Sequence, residues 1–155
     1  MPPEDERHIG FLISDVARLM RTAFDRRVRR LGLTRAQWLV INRLHRYPGV
    51  TQSALAEMLE VEKASAGRMI DRLEQKGWVE RRADAGDRRI NRLYLTAAAD
   101  PIHADLQEIA DEMIADALSL LSAAEQQEFA ALMRRVKRRL QGVVEREQPI
   151  AEPVA

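Results

Sequence analysis

Residues 62–95 read EKASAGRMIDRLEQKGWVERRADAGDRRINRLYL, and the reading of this stretch decides the fold. At 100° per residue, Ala66, Met69, Ile70 and Leu73 gather on one side of a helix running from Glu62 to Lys76. The opposite side carries Ala64, Gly67, Arg68, Asp71 and Gln75, with Ser65 and Arg72 at its edge. Gly77 stops the helix, and the period then changes from 3.6 to 2. Trp78, Glu80 and Arg82 alternate with Val79 and Arg81, and Ile90, Arg92 and Tyr94 alternate with Asn91, Leu93 and Leu95. Two such runs joined by the charged loop 83–89 predict a β-hairpin.

Working outward, Thr51 is an N-cap candidate for a short helix carrying Leu55, Ala56, Met58 and Leu59, broken near Val61. The order is therefore helix, turn, helix, wing. Upstream, Leu12, Val16, Leu19 and Ala23 mark a helix from Ile9 to Leu31 that Gly32 ends. Thr34 can cap a second helix with Trp38, Leu39, Ile41 and Leu44, and Pro48-Gly49 stops it. Downstream, a long apolar stripe runs through Ile102, Leu106, Ile109, Met113, Ala117 and Leu120. Either Thr96 caps that helix and Pro101 kinks it, or Asp100 is the cap and Pro101 opens the first turn. Ser122 with Glu125 makes a capping-box pattern for a last helix through Phe129, Leu132, Met133, Val136, Leu140 and Val143. The class is mainly α with a small β-hairpin, a winged helix-turn-helix over about 34–96 flanked by helices at about 9–31 and 97–146. Residues 1–8 and 147–155 read as disordered tails.

The 155 residues suit one such domain. Formal net charge is only +1, but the charges are segregated. Nine arginines against Asp25 alone lie between Arg18 and Arg46, whereas Asp100 to Glu128 holds eight acids and no Lys or Arg. That pattern fits one anion-facing side and one solvated acidic side. There is no cysteine, which excludes disulfides and thiol redox sensing. His8, His45 and His103 lack metal-ligand spacing, and no metal or other cofactor is expected. No signal peptide and no bilayer-long apolar run is legible, so a cytoplasmic location is expected, without membrane contact. Neither a phosphate-cradling glycine loop nor a nucleophile–base pair points to an enzyme.

The small outer residues Ala64, Ser65 and Gly67 allow the second helix of the pair to approach a groove wall closely. Arg68 projects from the middle of that patch and can pair with guanine O6 and N7, or with a phosphate. Lys63 can reach a phosphate, and Arg72 lies at the edge of the same face. At the wing tip, Asp87-Arg88-Arg89 places two arginines pointing opposite ways, so that one can enter a minor groove while the other touches the backbone. Asp87 is positioned to hold an arginine in its working rotamer. Ordinary solvated charges would explain each feature alone; their combination favours a DNA-reading surface.

These segments also resemble the MarR family over roughly residues 9–146. The resemblance rests on Leu33-Thr34 through Trp38, on Thr51-Gln52 with Leu55-Ala56, and on the series Ile70-Asp71-Arg72-Leu73-Glu74-Gln75-Lys76-Gly77-Trp78-Val79-Glu80-Arg81. Asp87-Arg88-Arg89 and Leu95-Thr96 complete it. Trp38, Glu62-Lys63-Ala64-Ser65 and Pro101 are similar to the SlyA-type branch. Gly67 stands where family members often have Ser or Thr, and Ala99 where a Gly is common.

The resemblance implies a transcription regulator that binds a near-palindromic double-stranded operator as a homodimer built from the first and last two helices. The apolar stripes agree, since they exceed what a small winged domain can cover. It further implies a repressor released by a small aromatic or phenolic acid or its acyl thioester, bound near Arg21, Trp38 and Asn42. Trp38 would be an aromatic wall and Arg21 a carboxylate partner, although Trp38 also suits simple core packing. Ala36, where a relative carries a ligand-contacting hydroxyl, is a departure. The competing reading is a winged-helix module for protein assembly, which needs no basic wing tip.

Overall fold

A computed structural model of the chain describes residues 8–147. The tails expected at 1–8 and 147–155 fall outside these residues, except for His8 and Glu147. The elements in order are α1 (Ile9–Val28), α2 (Arg35–Arg46), β1 (Val50–Thr51), α3 (Gln52–Leu59), α4 (Lys63–Gln75), β2 (Val79–Ala83), β3 (Asn91–Leu95), α5 (Asp100–Ala117) and α6 (Ala123–Glu147). The chain is mainly helical with one small antiparallel sheet, as the change of period predicts. Two compact units, Met1–Ile114 and Ala115–Ala155, are distinguished.

Local chemistry explains the boundaries. Thr34 caps α2 with a full capping box: its hydroxyl accepts from the Gln37 N–H, while the Gln37 side chain accepts from the Thr34 N–H. Thr34→Ala removes one half of that exchange and is expected to cost about 1 kcal/mol. A lower urea midpoint with an unchanged m-value is the readout. Thr51 caps α3 through the Ala54 N–H, and Ser122 with Glu125 forms the expected box at α6. Both hydrogen bonds from the Ser122 residue hold the Glu125 carboxyl below its usual range. Glu62 makes no side-chain cap for α4. The α3–α4 turn is instead set by Glu60, whose φ of 54° is left-handed.

Three boundaries differ from expectation. The end of the first helix tightens into a 3-10 turn, Arg29–Leu31, before Gly32 takes a left-handed φ of 69°. Thr96 makes no side-chain cap; its hydroxyl donates to the Gly77 carbonyl, and a 3-10 turn Ala97–Ala99 leads directly into α5. Asp100 is already helical, with φ −57° and ψ −46°, so Pro101 stands in the first turn, where its missing N–H has no helical partner to lose. The hairpin gains a third strand: β3 lies between β1 and β2, with Val50 opposite Leu93 and Val79 opposite Leu95.

Two apolar clusters organise the unit up to residue 114, and α2 belongs to both. Trp38 and Ile41 pack with Phe24, Val28, Leu106, Ile109 and Met113. Val40 and Leu44, on the other side of α2, pack with Leu55, Ile70, Leu73, Val79 and Leu93. The second cluster fixes the helix-turn-helix and the sheet as one body. By contrast α6 has no buried residue, and Phe129, Leu132, Met133, Val136 and Leu140 are all exposed. The same holds on α1 for Ile9, Phe11, Leu12, Val16 and Leu19. No helix among the described residues is long and apolar enough to cross a membrane.

Candidate nucleic-acid interface

The inner face of α4 is the expected one: Ala66, Ile70 and Leu73 are buried. That burial turns Lys63, Ala64, Arg68 and Arg72 outward, all exposed, with Ser65 and Gly67 half-buried beside them. Arg68 lies back along the helix, its Nη2 donating to Ser65 Oγ at 3.0 Å. The small residue at 67 has a structural reason as well. A Cβ there would meet Gln52 Nε2 at 2.9 Å, so the glycine leaves room for the end of the Gln52 side chain, which would otherwise have to shift.

At the wing, Arg89 is held by Asp87. Its Nε donates to Asp87 Oδ1 at 3.0 Å and its Nη2 to Oδ2 at 2.9 Å, a two-pronged pairing that fixes the guanidinium plane. The backbone N–H of Arg89 also donates to Oδ1. These bonds lower the Asp87 pKa, with the Arg89 side chain the largest cause, and raise that of Arg89. Arg89 nevertheless stays 90% exposed along its side chain, so the brace orients it without hiding it. Arg88 is exposed and makes no such pairing. A cleft of about 340 Å³ joins the two parts of the surface, lined by Thr51, Gln52, Ser53, Lys63, Arg89 and Asn91. The start of α4 and the wing tip therefore flank the same cavity, with a cation on each side.

Two arginines absent from the sequence-based set hold this surface together. Arg81 in β2 donates to Asp71 Oδ1 at 2.6 Å, to Glu74 Oε1 at 3.1 Å and to the Gly67 carbonyl at 3.4 Å. It ties the wing to the outer flank of α4 and neutralises Asp71 on the otherwise basic face. Arg92 in β3 pairs with Asp84 and donates to the Gly49 carbonyl at 2.9 Å, tying the wing loop to the turn before β1. That pairing is the largest cause of the lowered Asp84 pKa. The signal for Arg81 was present in the alternation: it shares a strand face with Val79, where a charge requires a partner.

The three effector candidates occupy different environments. Trp38 is buried, edge-on to Phe24 at 4.6 Å between ring centres, and its indole N–H donates to Asp25 Oδ1 at 2.8 Å. Asp25 also pairs with Arg35. Asn42 is half-buried one turn further along α2, and Arg21 on α1 is exposed. Among the described residues, no group of three or more His, Cys, Asp or Glu could hold a metal ion.

Comparison with known proteins matches this geometry. A family model described as "MarR family" matches residues 33–90, which span the helix-turn-helix and most of the wing. A crystal structure of MarR is 26% identical, covers 94% of this chain and 98% of its own, and superposes with a TM-score of 0.80. The transcriptional regulator PA3341 is 35% identical over 87% of this chain and 99% of its own, with a TM-score of 0.72. The transcriptional regulator SlyA is 28% identical over 90% and 99%, also at 0.72. The chain belongs to the MarR family of DNA-binding transcriptional regulators, and it is not an enzyme.

Proposed function

We infer that the protein reads a near-palindromic double-stranded operator as a homodimer, with α4 in the major groove and the wing against the minor groove. The observation that carries this reading is the cleft flanked by Lys63 at the start of α4 and by the Asp87-braced Arg89 at the wing tip. A helix whose outer face is small and basic, beside a rigidly held exposed guanidinium, is suited to a polyanion with two grooves. Family regulators bind DNA and act as dimers, and the exposed apolar faces of α1 and α6 supply material for such an interface.

Within α4, Ala64, Ser65 and Gly67 permit close approach, Arg68 reads a base edge, and Lys63 and Arg72 contact phosphates. Arg68→Ala is expected to weaken binding to the preferred duplex by roughly 1–3 kcal/mol and to relax preference at one position per half-site. Fluorescence anisotropy against duplexes from the DNA flanking the gene, each with one base pair changed, tests this. Equal loss on every duplex would make Arg68 a phosphate contact.

The regulatory sense is repression, relieved by a small aromatic or phenolic acid or its acyl thioester held near Arg21, Trp38 and Asn42. Support comes from the placement of Trp38 and Asn42 one turn apart on α2, the helix shared by both apolar clusters. A ligand there releases DNA only if it favours a dimer whose recognition helices are misplaced for two successive grooves, which requires different affinity for the two dimer shapes. Calorimetry with benzoate, salicylate and cinnamate and their thioesters, followed by gel shift, decides between this scheme and a constitutive regulator.

A further inference from the structure

His45 and His103 are far apart in sequence yet stack face to face, with ring centroids 3.5 Å apart and planes inclined by only 11°. His45 lies in the last turn of α2, two turns beyond Trp38 on the same face. His103 lies in the first turn of α5, one turn before the buried Leu106. The pair therefore joins α2 to the start of α5, beside the cluster in which Trp38 and Ile41 pack with Leu106 and Ile109.

We propose that this imidazole stack is a proton-sensitive latch between α5 and α2, and that its opening at mildly acidic pH moves the DNA-reading elements and weakens DNA binding. The DNA arm of the proposal rests on the reading given above; the latch itself does not.

The physical case begins with the stack. Two neutral imidazoles, or one neutral and one charged, tolerate contact at this distance, whereas two imidazolium rings repel. The titratable and charged groups that face His103 are His45 from α2 and Asp100 from its own first turn. Burial is the largest influence and disfavours the charged form, His45 acts in the same direction, and Asp100 partly opposes both. The His103 pKa is therefore lowered from its ordinary value of 6.5. With the pKa depressed in the stacked state, the open state takes up the proton first. The stacked state thus has its full advantage above about pH 6.5 and loses it as pH falls toward the lowered value.

The position of α2 carries the consequence to the DNA surface. Its Trp38 face belongs to the cluster with α1 and α5, and its Val40 and Leu44 face to the cluster with α3, α4 and the sheet. A shift of α2 against α5 carries the helix-turn-helix and wing with it, because the second cluster is packed as one body. No contact within the DNA-reading surface needs to change.

The test uses the full chain and two independent readouts. In the first, the imidazole Cε1–H signals of wild type and of His45→Gln are followed by NMR between pH 8 and pH 5. The expected result is a His103 titration midpoint below 6.5 that rises in His45→Gln, as removal of the neighbouring ring requires. In the second, anisotropy measures affinity for a duplex recovered from a randomised library at pH 7.5. Wild type should bind roughly three- to tenfold more weakly at pH 5.5 than at pH 7.5. In His45→Gln and His103→Gln the trend should vanish or reverse. The sign is diagnostic, since added positive charge alone tightens binding to DNA at low pH. A His103 midpoint that is not depressed, or that ignores His45→Gln, overturns the latch. A responsive midpoint with wild-type affinity that is flat or tighter at pH 5.5 overturns its coupling to DNA. A duplex bound at no pH strikes instead at the DNA-reading assignment, and the NMR arm still decides the latch.

Discussion

Leu132→Glu combined with Val136→Glu is expected to convert the homodimer into a folded monomer and to abolish operator binding at concentrations where wild type is saturated. Both side chains are about half exposed in the single chain, at 47% and 43%, so the charges meet water in the monomer. Neither belongs to a buried cluster, and helix content and the melting of the unit up to Ile114 should be retained. In a dimer that covers this face, each substitution removes about half of the roughly 1.5–3 kcal/mol that full apolar burial is worth and places a carboxylate in the seam. Two copies of each change double the effect by symmetry. A summed loss of more than about 4 kcal/mol raises the dissociation constant over a thousandfold, beyond the working range of light scattering. Loss of operator binding follows because two half-sites are then no longer bound as one unit. A variant that scatters as a dimer would place the interface elsewhere; the exposed stripe of Leu12, Val16 and Leu19 on α1 would be the next to test.

What the sequence disclosed was local chemistry, and what it withheld was pairing between distant residues. The apolar side of α4, the strand alternation around Val79 and around Leu93, the cap at Thr34 and the capping box at Ser122 depend on neighbours a few positions away. All of them were legible. β1 was not, because Val50 and Thr51 form a strand only by lying against Leu93 and Arg92, and two residues carry no period of their own. Thr51 was recognised as a cap while its strand role stayed hidden. Pro101 left two starts open for α5, and neither anticipated the 3-10 turn of Ala97–Ala99 that runs straight into the helix. At the site, the outward set on α4 followed from helical angle alone. The partners of Arg81 and Arg92 required the third dimension: Arg81 reaches ten residues back to Asp71, and Arg92 reaches the Gly49 carbonyl. Asp87 was expected to brace an arginine, but sequence left Arg88 and Arg89 equivalent; the fold assigns the brace to Arg89. Stacking of His45 on His103 had no sequence signal, since nothing in the spacing of two histidines on different helices foretells a contact.

The choice of Arg89 sharpens the second large effect, which concerns the wing. Arg88→Ala with Arg89→Ala is expected to lower affinity for every duplex by roughly 2–4 kcal/mol and to flatten the salt dependence by up to two phosphate equivalents. The two arginines should contribute unequally. The guanidinium plane of Arg89 is already fixed by two hydrogen bonds to Asp87, so on the proposed reading it would lose little side-chain entropy on entering the groove. Arg88 has no such brace, and the same reading leaves it the backbone contact. Arg89→Ala alone should therefore reduce the preference for narrow A·T-rich flanks, whereas Arg88→Ala should reduce affinity without changing it. Asp87→Ala releases the guanidinium but keeps its charge, and it also removes a negative charge close to phosphates. Its cost should be smaller than that of Arg89→Ala, and the pair Asp87→Ala with Arg89→Ala should cost less than the sum of the singles. The coupling should persist at high salt, because the brace acts through geometry, while the direct loss at Arg88 should fade. Additive single effects would mean that Asp87 does not act through Arg89. Full affinity and an unchanged salt slope in the double arginine variant would mean that the wing tip stays in solvent when DNA is bound.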